Sequence, residues 1–186
     1  YERILTHMEI RDKNKVFNKS ALRAIESFFL GRYFMYIQVY FHKVVRILNI
    51  HLIEFIEEFF GRERFLKESL TDADVISLML KNPNHPTVRR IMAREHFREV
   101  FSTNSFEEFE RVKREILSRY EEKLLRFDKV SKKVLDEDIL ILHGDRLLTL
   151  RESSDLINSM KDIEIYRIYA EKGIKDEVRE FIRCLS

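Results

Sequence analysis

A mainly α-helical protein ending in a small α+β unit is the fold class that the 186-residue chain predicts. Three observations carry this expectation. Residues 21–60 hold no proline and a single glycine, Gly31, and place apolar side chains at almost every helical azimuth, the pattern of a long buried helix. Ser105-Phe-Glu-Glu108 reads as a capping box that opens a charged helix. Asp138 to Leu150 reads as two short apolar strands around a His143-Gly-Asp-Arg146 turn, a hairpin signal.

Taken in order, Tyr1 to Asn18 opens with a short helical pattern at Ile4, Leu5 and Met8, then turns polar around Arg11 to Asn14. The long helix follows. Its length exceeds that of ordinary helices, so a break is expected at Gly31 or within Asn49 to His51. Glu68 to Asp74 predicts a cap and a helix through Leu80, ended by Pro83 and Pro86. Thr87 to Val100 predicts another helix, and the capped helix after Ser105 runs to about Lys123. On that helix Glu107/Arg111, Glu110/Arg114 and Glu115/Arg119 are spaced for (i, i+4) ion pairs. Ser153 to Met160 reads as helix, Ile163 to Ala170 as strand, and Asp176 to Leu185 as an amphipathic helix. The expected organisation is a helical body, residues 1–126, and a small α+β subdomain, residues 127–186.

Composition narrows the function classes. With 34 basic and 32 acidic side chains, the net charge of +2 lacks the basic excess of a dedicated nucleic-acid binder, and no nucleic-acid partner is expected. A single cysteine, Cys184, excludes an internal disulfide and any cysteine-based zinc site. With no signal-like segment, it points to a reducing, cytoplasmic setting. No charge-free apolar run approaches the roughly 18 residues of a membrane span, so no membrane partner is expected.

The chemistry-bearing feature is a stripe on the long helix. At about 100° per residue, Arg32, Tyr36, Tyr40, Lys43 and Arg46 fall within roughly a third of the circumference. Cations on an apolar helix are costly unless something anionic faces them. One reading is a ligand wall, with Arg32 forking onto a phosphate, Lys43 adding a point charge, and the phenols stacking on a base or sugar. The other is an internal ion-pair network with core tyrosines. His42 flanks the stripe rather than joining it.

Other chemistry has little support. The histidines at 7, 42, 51, 85, 96 and 143 include no His-Asp pair and no His-Glu-x-x-His. His51 and Glu54 share a helix face, a spacing that is common by chance. Asp72/Asp74 and Asp136/Glu137/Asp138 read as a helix N-terminus and a solvated turn. Glycines at 31, 61, 144 and 173 form no phosphate loop, and Cys184 reads as an inert helix residue.

The run Ala24-Ile-Glu-Ser-Phe-Phe-Leu-Gly-Arg32-Tyr-Phe-Met-Tyr36-Ile-Gln-Val-Tyr40-Phe-His42-Lys43 resembles a segment of the HD-domain phosphohydrolases, with the deoxynucleoside triphosphate triphosphohydrolase (dGTPase-like) branch the nearest. Tyr1-Glu-Arg-Ile-Leu5 and Lys15-Val-Phe-Asn-Lys19 are similar to that family's approach to the same helix. The pattern covers the first 50 or so residues well. The Asp72/Asp74 helix, Arg94 and the terminal hairpin-helix-strand unit match more loosely.

In such enzymes a histidine, a His-Asp pair and a later aspartate hold the metal on helices before this segment, and none is present here. The resemblance therefore implies the C-terminal part of an enzyme whose divalent metal ion has its ligands outside this segment. It implies a substrate-binding role for Arg32 on the phosphates and for Tyr40 on the deoxyribose or base. Tyr36 stands where some members carry histidine, and His42 carries over by motif as a supporting residue. The implied activity is hydrolysis of a dNTP to deoxynucleoside and triphosphate, this segment supplying a pocket wall and the contacts of a homo-oligomer. The alternatives are a non-catalytic nucleotide-binding or regulatory module and a helical scaffold.

Overall fold

The computed structural model describes residues 2–11, 13–61 and 71–185. It is mainly α with two small sheets, and the chain divides into two compact units, each built from two passes: Tyr1–Tyr40 with Ser131–Glu164, and Phe41–Val130 with Ile165–Ser186. Residues 126 and 127, where the sequence changes character, are neighbours within one strand.

In the first unit, helix α1 (Glu2–Leu5) leads into strands β1 (Met8–Arg11) and β2 (Asn14–Asn18). The polar segment expected around residues 11–14 is thus the tip of an antiparallel hairpin, apart from Asp12, which lies outside the described residues. Asn18 caps the turn that follows by accepting from the Ser20 N–H, and helix α2 (Leu22–Met35) continues as a π-helical turn over Tyr36–Tyr40. Ala21, Leu22 and Ile25 pack on Val134, Leu135, Ile141, Leu150 and Ile157, which form the core of this unit.

Those partners come from the second pass. Strand β5 (Leu140–His143) pairs in parallel with β2 and antiparallel with β6 (Arg146–Thr149). Register opposes His143 to Arg146 and leaves a two-residue loop in which Gly144 has φ +63°, a first-position conformation that glycine adopts without strain. The expected hairpin is therefore present. Two short helices follow, α7 (Leu150–Ser153) and α8 (Asp155–Ser159), where one was expected. Their caps, Thr149 and Ser154, account for the split, because Ser154 breaks the backbone in order to cap the second helix.

The second unit begins at the break in the long helical stretch. Phe41 and His42 leave the helix, and helix α3 (Lys43–Phe60) restarts with His42 as its N-cap. The break lies at neither Gly31 nor Asn49–His51. It follows the π turn, and the extended backbone of His42 (ψ 133°) lets its Nδ1 accept from the Val44 N–H at 3.4 Å. Helix α4 (Asp72–Lys81) has the expected cap, formed as a capping box by Thr71 and Asp74, while residues 68–70 of that expectation lie outside the described residues.

Helix α5 (Pro86–Met92) is shorter than the Thr87–Val100 helix expected. Arg94 turns the chain with φ +57°, and Arg98–Thr103 becomes strand β3. Helix α6 (Phe106–Leu117) starts at the Ser105 cap and stops before Lys123. Arg111 of this helix and Arg119 just beyond its end reach further than the expected intrahelical pairs: Arg111 donates to the Leu185 carbonyl, and Arg119 lies 4.0 Å from Glu177.

A three-stranded sheet, ordered β3, β7 (Ile163–Ala170), β4 (Leu125–Lys132), organises this unit. One face of β7 presents Tyr166, Ile168 and Ala170 to Phe109, Val112 and Ile116 of α6 and to Val178 and Ile182 of helix α9 (Lys175–Cys184). The alternate residue Tyr169 packs with Ile47 and Phe97 instead, so the strand is buried on both faces. Phe55 and Ile56 of α3 join Met79 and Val88 in a further cluster.

Two carboxylates tie distant segments together. Glu26, buried in the first unit, accepts from Ser154 at 2.6 Å and from Arg23 at 2.9 Å. Glu54, in the second, accepts from His51 Nδ1 at 3.0 Å and from Arg126 Nε. Burial pushes both carboxyls up, but the bonds from Ser154 and Arg23, and from His51 and Arg126, outweigh it and hold both below their ordinary value of 4.5. A carboxyl whose folded pKa is depressed stabilises the fold above its unfolded pKa, and that stability is lost as pH falls through the folded value. Denaturation midpoints are therefore expected to drop between about pH 5 and pH 3, and to drop less steeply in Glu54→Gln and Glu26→Gln. Slopes equal to the parent's would show that these contacts carry no linked stability.

Candidate functional site

The resemblance centres on α2 and the π turn, and there the structure brings three of the named residues together. Arg32, Tyr36 and Tyr40 follow at four-residue intervals along the first unit's helical segment. The Arg32 guanidinium lies 5.3 Å from the Tyr36 ring centroid, and the Tyr36 and Tyr40 rings are 5.3 Å apart. With Ser27, Phe28, Gly31 and Met35 they line a groove of ≈ 700 Å³.

The sequence pattern predicts a buried helix, but Phe28, Phe34, Met35, Val39 and Tyr40 are exposed, Phe28 by 53% and Tyr40 by 50%. Apolar azimuth records what a helix face would gain from cover, and this face lacks that cover in the chain described. The groove is therefore largely apolar, with one guanidinium and two phenols, a composition suited to a ligand with a flat organic part and an anionic end.

Gly31 sits in the groove wall, and a Cβ there would meet nothing within 4 Å. Glycine inside a helix costs roughly 0.5–1 kcal/mol relative to alanine. Packing within this chain does not call for it, so Gly31→Ala is expected to raise the stability by about that amount. Thermal melts check this, and a lowered midpoint would mean that the helix is not free of strain at residue 31.

Arg32 is anchored within its own unit. Its Nη1 donates to the Val134 carbonyl at 3.1 Å and its Nη2 to Asp136 at 2.9 Å, with Lys132 Nζ bound to the same carboxylate. The Asp136/Glu137/Asp138 segment read as a solvated turn thus contains Arg32's partner. Lys132 was not singled out in the sequence at all. Only its spacing of four from Asp136 could have drawn attention to it.

The remaining stripe residues fall in the second unit, so the helix break divides the stripe. Lys43 Nζ lies 3.6 Å from Glu99, beside a cavity of ≈ 190 Å³ that Arg98, Arg179 and Tyr169 also line. Arg46 is committed to structure. Its Nε and Nη2 bind the two oxygens of buried Asp128 at 3.0 and 2.7 Å, bonds that raise its already high pKa. Here the ion-pair reading of the stripe holds. His42 is exposed and occupied as a helix cap.

The one histidine-carboxylate pair with helical spacing does not fit a metal. His51 is fully buried, its Nε2 accepts from the Phe97 N–H at 3.4 Å, and its Nδ1–H therefore donates to Glu54, which Arg126 also holds. Among the described residues no group of three or more His, Cys, Asp or Glu side chains is placed to hold a metal ion. Among them, too, no helix is long and apolar enough to cross a membrane.

Comparison with known proteins gives the chain its relatives. A hypothetical protein from Aquifex aeolicus of solved structure is 38% identical over 97% of this chain and 50% of that chain, with a TM-score of 0.87. A phosphohydrolase from Bacteroides thetaiotaomicron shares the fold at 17% identity, over 91% of this chain and 55% of that one, with a TM-score of 0.66. The chain spans about half the length of either protein. No curated protein matches it. The family described as the HD associated region matches residues 1–134, which cover α2, the π turn and the groove, and the chain belongs to that family.

Proposed function

We infer that the complete protein is an HD-type nucleotide phosphohydrolase acting in the cytoplasm, which cleaves a dNTP to deoxynucleoside and triphosphate. This chain supplies a wall of the substrate pocket and contacts of a homo-oligomer. The observation that supports this reading best is the groove itself, where Arg32, Tyr36 and Tyr40 line one apolar surface. Arg32 offers a planar fork for phosphate oxygens, and the paired phenols offer stacking area and hydroxyls for a deoxynucleoside. Family membership and the fold shared with a phosphohydrolase agree with it. The divalent metal finds no ligand set among the described residues, and no bond-breaking step is assigned to them. Their part is to bind and orient.

The test is to incubate the complete protein with each dNTP and a divalent metal salt, and to follow the products by phosphorus NMR. Appearance of inorganic triphosphate with free deoxynucleoside is the expected result. Release of pyrophosphate or orthophosphate, or an absence of turnover, would overturn it. The alternative, a non-catalytic nucleotide-binding or regulatory module, draws on the carboxylate that already occupies Arg32, and saturable dNTP binding without any product would favour it.

A further inference from the structure

Two ion pairs in this chain have the same chemistry and opposite settings. Arg46 and Asp128 are locked together with the carboxylate buried, its side chain only 4% exposed. Around Arg32 the arrangement is reversed: the cations are sheltered, with Arg32 22% and Lys132 25% exposed, while Asp136 is 55% exposed. Arg32 is also held by the Val134 carbonyl, and the backbone of Lys132 is fixed in strand β4.

The geometry within this trio resembles anion recognition. A single oxygen, Asp136 Oδ2, lies 2.9 Å from Arg32 Nη2 and 2.9 Å from Lys132 Nζ. Both cations flank the Tyr36 ring, at 5.3 and 5.7 Å from its centroid. One oxygen shared by a guanidinium and an ammonium is how a phosphoryl oxygen is commonly held. The crevice where Lys132 sits is closed to anything larger than water, but Arg32 and Asp136 also line a second groove of ≈ 560 Å³, so an anion entering there can take the place of the carboxylate that both cations hold.

We propose that Lys132 is a second phosphate-binding residue of this site and that Asp136 is its resident occupant, which an incoming polyphosphate must displace. The inference rests on the reading of the Arg32 groove as a phosphate site. It adds a basis for selectivity. A carboxylate carries one charge and engages both cations, so a singly charged anion gains little by exchange. A diphosphate or triphosphate brings more charge and more oxygens and wins the exchange. Asp136 thus sets a minimum charge for the ligand, and its removal relaxes that minimum.

The experiment is calorimetric titration of the complete protein with inorganic triphosphate and, separately, with orthophosphate, at constant ionic strength. Asp136→Asn keeps the shape and removes the charge. It is expected to bind triphosphate roughly tenfold more tightly and to lose most of the preference over orthophosphate. Lys132→Gln is expected to bind triphosphate roughly tenfold more weakly. Asp136→Ser serves as a second charge-removing variant, and circular dichroism melts confirm that each protein is folded. Unchanged or weaker triphosphate binding in both Asp136 variants would overturn the proposal, as would unchanged binding in Lys132→Gln. Arg32→Ala separates the two levels. If it binds triphosphate as the parent does, or the parent does not bind, the groove reading fails with the proposal. If it loses binding while the Asp136 and Lys132 variants behave as the parent, only the proposal fails.

Discussion

Asp128→Ala is expected to destabilise the chain by about 3–5 kcal/mol, the cost of removing one partner from a buried ion pair. The carboxylate is almost fully buried and binds Arg46 through both oxygens, while Arg167 Nη1 stands 4.0 Å away. Arg167 has one closer anion. Its Nε approaches Glu99 at 3.0 Å, yet neither its Nε nor its Nη1 makes a hydrogen bond. Truncating Asp128 leaves the half-buried Arg46 guanidinium without its anion and Arg167 with Glu99 alone, and that unpaired charge, more than the lost bonds, sets the cost. Urea denaturation at neutral pH measures it. Removing Arg46 as well should recover part of the loss, since the double variant no longer strands that charge. A change under about 1 kcal/mol would mean that water reaches the pair and screens it.

Arg32→Ala should have the opposite profile, with little change in folding and a large loss of function. Its contacts are one backbone carbonyl and an exposed carboxylate, so truncation is expected to cost about 1 kcal/mol of stability. If the guanidinium clamps the phosphates of a dNTP, the complete enzyme loses one or two charge-assisted bonds, and kcat/KM is expected to fall on the order of a hundredfold or more. Arg32→Lys should recover only part of it, because an ammonium cannot form the fork. Steady-state hydrolysis of the preferred dNTP reads this out. Activity within about threefold of the parent, in a folded protein, would remove Arg32 from the site.

These two arginines sit fourteen positions apart on what looks like one helix in the sequence, and nothing in the local pattern tells them apart. The azimuthal count joined Arg32 to Lys43 and Arg46 because it assumed an unbroken 3.6-residue repeat. A π turn at Tyr36–Tyr40 and the extended backbone at His42 interrupt that repeat, with no proline or glycine to announce it. Strand β4 was missed for a related reason. Leu-Arg-Phe-Asp-Lys-Val-Ser-Lys carries charge at half its positions and reads as solvated, but Arg126 and Asp128 each meet a partner on α3 that makes the strand tolerable. The end of α5 was likewise unmarked, because its signal is a positive φ at Arg94, a residue type that gives no hint of it.

What could be read from the chain was short-range. Thr71 with Asp74, Ser105 with the Glu108 amide, and the glycine of the 143–146 turn lie within a few residues of their partners, so residue type and spacing were enough to define them. The apolar periods of β7 and α9 likewise identified the faces that build a core. Partner choice among charges lay beyond reach. Arg32 and Asp136 are 104 positions apart, and Arg46 and Asp128 are 82 apart. Coulombic pairing is set by distance in space and by how much water is excluded around the pair, and folding alone supplies both.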